Sequence, residues 1–340
     1  MKILVSITSG SNNTERNILR AFYDGIEKYY FNLFEIDTNK QLKKEHGIDL
    51  RLSYDPEIEK CDIAVQFGTV KERLAEHHVT KQSIQRNAKT IIFVETPILG
   101  RVIDKQNNYD FYRIGVDGFL NNSGVFYNTE SIDKNRIAFL KTKLTIPEFS
   151  TWKDHKAGNI LILLQLPGDA SLRGQKLSEW FVDTVKEIRV SSDRPISIRF
   201  HPAMSDKGHT EFFGEVGPLL FENFKNLIWK DGVSTTLDQD LSEAGICVSY
   251  SSGSCVDAVL QAVPCITIDE GNLAYPISSH RIDEINNPKL VDKVVVEEWL
   301  NRLANSQWNE QEMLTGTVWK HILPLVDESL QYEENGNSLS

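Results

Sequence analysis

Several polar side chains stand where apolar runs end, and their types suit the handling of a phosphate or another anionic group. Arg199 and His201 close the run 196–200, and Pro202 follows. A histidine next to an arginine and fixed by a proline suits an anion or a leaving group. Ser251, Ser252, Gly253 and Ser254 precede the apolar face Val256, Val259 and Leu260. Serine caps helices well, and the uncapped N–H groups and dipole at a helix start favour a phosphate; a plain capping role is the alternative. Asp169, Ser171 and Arg173 share a polar loop after the run 159–164, and a guanidinium makes forked bonds to phosphate oxygens. Glu95 ends the run 90–94, and Arg113 and Asp117 bracket another. A carboxylate at a strand end is a candidate general base. Glu95 and Asp117 rank level, with an ion pair or a backbone-bonded turn as the plainer roles.

The elements that must position these residues read as α/β. Short β-branched runs at 2–7, 33–37, 62–67, 90–94, 159–164, 196–200, 227–229, 247–250 and 265–268 alternate with helix-length segments. That order predicts parallel sheets, with ligands beyond the carboxyl ends of the strands. A helix is expected from Thr14 to about Tyr30, buried through Ile18, Leu19, Phe22 and Ile26, with 38–59 irregular. Helices are also expected at 71–87, 175–189, 208–224, 297–304 and 309–330. The polar stretch 128–156 reads as a linker, so the chain divides into 1–150, 151–308 and a returning helix with a disordered tail, 309–340.

With 340 residues, 40% hydrophobic and 25% charged, the chain can bury a core in each half. The net charge of −11 gives no global basic footprint for nucleic acid. Lys71, Arg73, Lys81, Arg86 and Lys89 could still form a local basic surface. Cys61, Cys247, Cys255 and Cys265 form no CxxC pair, and His77 and His78 point to different sides of a helix, so a metal site is not expected. No apolar run approaches membrane-spanning length, and buried free thiols fit a reducing cytoplasm. The loop after the first strand is not GxGxxG, so a dinucleotide site is unsupported.

Arg-Phe-His-Pro at 199–202, Ser-Tyr-Ser-Ser-Gly-Ser at 249–254 and Ala-Val-Pro-Cys-Ile-Thr-Ile at 262–268 together resemble the donor half of GT-B glycosyltransferases. The pattern is similar to that of the capsule-polysaccharide β-Kdo transferases and, more distantly, of bacterial sialyltransferases. The resemblance implies a GT-B fold of two Rossmann-like domains facing a cleft. It also implies that His201, Ser251 and Ser252 hold the nucleotide phosphate and help the leaving group. A second, wider pattern, at 112–124, 164–174 and 193–196, resembles bacteriophage glycosyltransferases, some of which add sugars to hydroxymethylated pyrimidines in DNA.

These resemblances imply a cytoplasmic transferase that takes a UDP- or CMP-linked sugar as substrate and has no cofactor. No Asp-x-Asp metal motif stands out, so metal-independent chemistry is expected. Arg173, Ser171, Arg199, His201, the 251–254 turn and Glu270 would hold the donor. Ser9, Gly10 and Arg101 would lie on the acceptor side, and Glu95 or Asp117 would act as base. In a retaining reaction an Asp would act instead as nucleophile, and the residues leave the two open. The expected acceptor is hydroxymethylated pyrimidine in phage DNA. A capsule or lipopolysaccharide glycan is the alternative, and a nucleotide-sugar epimerase or a non-catalytic sugar-binding protein are further ones.

Overall fold

A computed structural model of the protein describes residues 1–68, 75–100, 109–125, 132–220 and 225–334. The chain opens with β1 (Lys2–Ser6), α1 (Asn13–Phe34), α2 (Asn39–His46), β2 (Asp49–Ser53) and β3 (Cys61–Phe67). α3 (Ala75–Asn87), β4 (Ala88–Glu95), β5 (Tyr112–Leu120), β6 (Ser123–Val125) and α4 (Arg136–Lys141) follow. Next come β7 (Asn159–Leu163), α5 (Leu177–Ser191), β8 (Ile196–Arg199), α6 (Asp206–Leu220), β9 (Leu227–Lys230) and α7 (Leu237–Glu243). The chain ends with β10 (Ala244–Ser249), α8 (Ser254–Leu260), β11 (Cys265–Thr267), α9 (Lys293–Ala304), β12 (Gln307–Trp308), α10 (Glu310–Leu314) and α11 (Thr317–Glu334).

Two compact units result. The first comprises Met1–Phe119, Ser123–Thr145 and Leu300–Ser340, and the second Leu120–Asn122 and Ile146–Trp299. The chain rejoins the first unit at Leu300 rather than at 309, because Gln307 and Trp308 pair antiparallel with Arg113 and Tyr112 of its sheet. Both units are α/β with parallel strands at their centre, the class expected from the alternating pattern. Among the described residues no helix is long and apolar enough to cross a membrane.

The first unit holds a seven-stranded sheet in the order β12-β5-β4-β3-β1-β2, with β6 on β5. β1 to β4 are mutually parallel, and β5 runs antiparallel to β4. Alternation sorts the side chains: Ile3, Val5, Ile63, Val65, Ile92 and Val94 join the α1 and α11 core, whereas Leu4 and Ala64 join Ile84 of α3. α1 and α10 approach so closely that a Cβ at Gly25 would fall 1.7 Å from the Met313 carbonyl oxygen. Only glycine fits there.

Four expectations are corrected here. α1 starts at Asn13 under an Asn12–Glu15 capping box, not under Thr14. It continues to Phe34, which packs on the core one turn beyond Tyr30, so no strand forms at 33–37. β2 instead comes from 49–53, within the stretch expected to be irregular; as the edge strand it carries Asp49 and Arg51 among its apolar residues. The helix expected at 309–330 is broken into α10 and α11 at Gly316, whose φ of +76° lies in the left-handed region.

The second unit holds a five-stranded, all-parallel sheet in the order β11-β10-β7-β8-β9. Its inner strands β7, β8 and β10 are buried and mostly apolar, as a sheet covered on both faces requires, and the edge strand β9 is partly exposed. From β7 the chain steps outward to β8 and β9, then returns to the other side of β7 with β10 and β11. The order therefore reverses between β7 and β10.

Candidate active site

In an open parallel sheet, ligands bind outside the carboxyl ends of the strands where the order reverses. Here that is the crevice beyond β7 and β10. The loop after β7 and the turn after β10 are tied by one residue, Gln165. Its amide oxygen accepts the Ser251 N–H at 3.0 Å, and its amide nitrogen donates to the Ser251 hydroxyl at 2.9 Å and to the Ser171 hydroxyl at 2.5 Å. The Ser251 hydroxyl donates in turn to the Ser171 carbonyl at 2.6 Å. Gln165 is buried, and the sequence reading gave it no role; the available signal was a lone amide directly abutting a wholly apolar strand.

This clamp changes the expected roles. The Ser251 hydroxyl joins the two loops through the Ser171 carbonyl, and the Ser171 hydroxyl is engaged within its own loop by Gln165 and Asp169, so both shape the crevice. Gly253, not a serine, occupies the N-cap of α8, and α8 is only seven residues long. The expected serine cap and strong dipole site are therefore both corrected. Ser252 remains half-buried at the rim. Its N–H donates to the Ser249 hydroxyl at 3.0 Å, and its own hydroxyl accepts the Ser254 N–H at 3.3 Å.

Arg173 reaches the same crevice from a left-handed position, φ +51°. Its guanidinium donates to the Asn122 side-chain oxygen and lies 3.6 Å from Asp269, at the end of the loop after β11. The side chain keeps 37% of its surface exposed, so part of the fork faces solvent. A Cβ at Gly271 would fall 2.6 Å from its Nη2 and 2.7 Å from the Asp269 carboxylate, so glycine leaves the room this pair occupies. Glu270 is exposed beside it; its backbone carbonyl accepts from Asn121 at 2.8 Å. Burial, and then Asp269, push the neighbouring Tyr250 phenol above its usual 10.0.

Arg199 does not face a ligand. It is buried and bonded to the Asp240 carboxylate, to both oxygens of Thr235, and to the Gly232 carbonyl at 2.9 Å. Lys230 pairs with the same Asp240 at 2.7 Å and with Glu243 at 2.8 Å. A carboxylate 41 residues downstream thus claims the guanidinium, and the network holds the loop after β9. In that loop the N–H groups of Ser234 and Val233 bring Asp231 down to about 2.

His201 is half-buried just beyond β8. Its Nδ1 accepts the Ala203 N–H at 3.1 Å, which places the proton of the neutral ring on Nε2. That tautomer presents a donor, as a leaving phosphate oxygen needs.

In the first unit, Glu95 lies at the carboxyl end of β4. One oxygen accepts from the Thr96 N–H at 2.8 Å and from its hydroxyl at 3.1 Å. A Cβ at Gly68 would lie 3.5 Å from the other oxygen and 3.4 Å from the buried Lys81 ammonium, so the carboxylate and the cation both border this glycine. Asp117 is elsewhere. Paired in register near Ile91, it lies about 13 Å along the sheet from Glu95 at ~3.3 Å per residue. Its carboxylate accepts the Ile91 N–H at 2.8 Å and the Ser329 hydroxyl, and these bonds hold a left-handed φ of +57°. It is a structural residue, and the two acids expected to be level are not.

Ser9 is also structural: fully buried, it donates to the Ser6 carbonyl at 2.6 Å and accepts the Phe67 N–H at 3.1 Å. Gly10 is buried against Arg16, whose Nε donates to its carbonyl at 3.3 Å. Arg101, Lys71 and Arg73 lie outside the described residues. The rest of the expected basic surface is paired or buried: Arg86 with Glu57 at 3.5 Å, Lys89 with Asp62 at 2.8 Å, and Lys81 beside Glu95. Among the described residues no group of three metal-ligating side chains occurs.

No family model matches the chain, and no curated protein matches it. Among solved structures it is similar to the β-Kdo 2,7 transferase of Thermosulfurimonas dismutans KpsC, at 11% identity and TM-score 0.46, over 94% of this chain and 99% of that one. It is also similar to the β-Kdo 2,4 transferase of the same KpsC, at 10% and 0.43, over 86% and 94%. A UDP-GlcNAc 2-epimerase from Methanocaldococcus jannaschii matches at 14% and 0.29, over 95% and 99%. Identities this low and TM-scores under 0.5 leave the functional reading to the side chains.

Those side chains sort into a frame and a working face. Gln165, Ser251, Ser171, Arg199 and Asp240 form the frame. Arg173, Ser252, His201 and Glu270 lie outside that frame and are the candidates for the face: one guanidinium, a hydroxyl, an imidazole and a carboxylate. Such groups can hold a phosphate and donate a hydrogen bond to a leaving oxygen.

Proposed function

We propose that this protein is a glycosyltransferase of GT-B type whose second unit holds a nucleotide sugar by its phosphate at the β7–β10 crevice. The observation that carries this reading is the Gln165 clamp. It fixes two strand-end loops at the switch point of a parallel sheet, with Arg173 exposed beside them. Arg173 and the His201 N–H would take up the charge on the departing phosphate, as fixed donors do best in a site prepared before reaction. Glu95 would activate an acceptor hydroxyl or, in a retaining reaction, leave the nucleophile to another acid.

For the acceptor, the pairing of Arg86 in α3 and Lys89 in β4 with carboxylates and the charge of −11 favour a glycan, as in the β-Kdo-type reading, over hydroxymethylated DNA. The chemistry assigned to the chain's own residues needs no metal, and a cytoplasmic location accords with its four buried thiols.

The test is incubation of the full chain with UDP- and CMP-sugars, alone, with glycan acceptors and with hydroxymethylcytosine DNA, read by mass spectrometry. Sugar gain on a glycan, lost in His201→Ala, is expected. Donor consumption with no acceptor present would point to an epimerase, and gain on DNA would restore the acceptor expected from sequence.

A further inference from the structure

The first unit contains a cavity of about 720 Å³ that none of these roles uses. It lies where the first turn of α1, the segment before β5 and α10 meet, and its size falls within the ~300–1,000 Å³ usual for small-molecule sites. Its walls carry Asn17, Tyr109, Asp110, Asn309, Glu310 and Gln311.

The chemistry of that set is selective. Asn17 and Gln311 are exposed, and their amides make no hydrogen bond to the described residues; each offers donors and an acceptor. Asn309 uses its side-chain oxygen to cap α10, accepting the Glu312 N–H at 2.9 Å, which leaves its amide N–H groups to the cavity side of the ledger. Asp110 and Glu310 supply acceptors only. The half-buried Tyr109 ring, set edge to face with Tyr112 at 6.1 Å, gives a flat apolar wall. Among the described residues no Lys or Arg lines the cavity, and its two carboxylates would repel a phosphodiester. With no group of three metal-ligating side chains among the described residues, a bound cation is not what these acids are for.

We propose that this cavity binds a neutral saccharide unit. A sugar hydroxyl both donates and accepts, which matches amides beside carboxylates, and a pyranose face lies flat on an aromatic ring. Binding here goes beyond the transferase reading and needs no donor at the other unit.

The experiment is saturation-transfer NMR on the full chain without any nucleotide sugar, using galactose, N-acetylglucosamine, maltose and lactose as probes. A phosphodiester arm uses a single-stranded hydroxymethylcytosine oligonucleotide. At least one saccharide should bind. The double variant Asn17→Ala/Gln311→Ala, at two exposed helix positions, should weaken it tenfold or more, while Arg173→Ala leaves it unchanged. Silence from all four sugars, affinity untouched by the double variant, or displacement of the sugar by the oligonucleotide would each overturn the proposal. Loss of donor turnover alone would count against the transferase reading and not against this cavity.

Discussion

The carboxyl edges of the two sheets look alike in sequence and differ in what their polar groups do. In the second unit all five strands run parallel, and the loops beyond them are bonded to one another through Gln165, Ser171 and Ser251, leaving Arg173 at the surface. In the first unit the sheet ends in antiparallel β5 and β12. There Ser9 and Asp117 bond inward, and Glu95 keeps its place at the edge beside Lys81. A polar residue at a strand end is therefore not yet a site residue. What decides is whether another part of the fold has already claimed its hydrogen bonds.

The sharpest test of that division is Arg199→Ala. Removing it leaves the buried Asp240 with only Lys230 and the Thr235 hydroxyl, and breaking such a pair costs about 3–5 kcal/mol. Denaturant unfolding should show that loss. A stable variant that merely fails to bind donor would return Arg199 to the working face.

Arg173→Ala should do the reverse. Turnover should fall ~100-fold, equivalent to about 2.7 kcal/mol of barrier, with unfolding changed by less than ~0.5 kcal/mol because the side chain is partly exposed. Equal losses of activity and stability would erase the contrast with Arg199.

Asp117→Ala removes the acceptor for the Ile91 N–H and should destabilise the fold by about 1–3 kcal/mol. Donor binding measured by calorimetry should persist. A variant as stable as the parent but inactive would make Asp117 catalytic after all.

The smallest effect is a pH slope. Burial, with Arg136 adding to it, holds the His321 imidazole below its usual 6.5. The folded state then binds fewer protons than the unfolded one, so this stabilisation is complete above pH 6.5 and is lost as pH falls towards the lowered value. The unfolding midpoint of His321→Gln should drop less than the parent's on acidification below 6.5. Identical slopes would mean that this ring does not contribute.

The sequence made the second unit more legible than the first, for physical reasons. β7, β8 and β10 are short, buried, mostly apolar runs, and turn residues follow them, so their carboxyl ends could be read to within a residue. In the first unit Leu33 and Phe34 have strand-like composition, but Phe34 continues the stripe of α1 by one turn while Leu33 faces solvent, and the helix wins. β2 was hidden because an edge strand tolerates Asp49 and Arg51. The site was half visible. Arg173, His201 and Ser252 were found by type and position. Gln165 carries no motif, and nothing near Arg199 announces that Asp240 will meet it. Guanidinium groups suit carboxylates as well as phosphates, so type alone could not separate Arg199 from Arg173.

The pairing of Gln307 and Trp308 with β5 has a bearing on how the molecule is made. A ribosome emits the middle of the chain before its end, and domains close as their residues emerge. Residues 146–299 can thus settle while the earlier-born portion still waits for its last strand and final helices. The order of maturation runs against the order of synthesis, and a nascent chain stalled short of Trp308 would display a finished second unit beside an open first one.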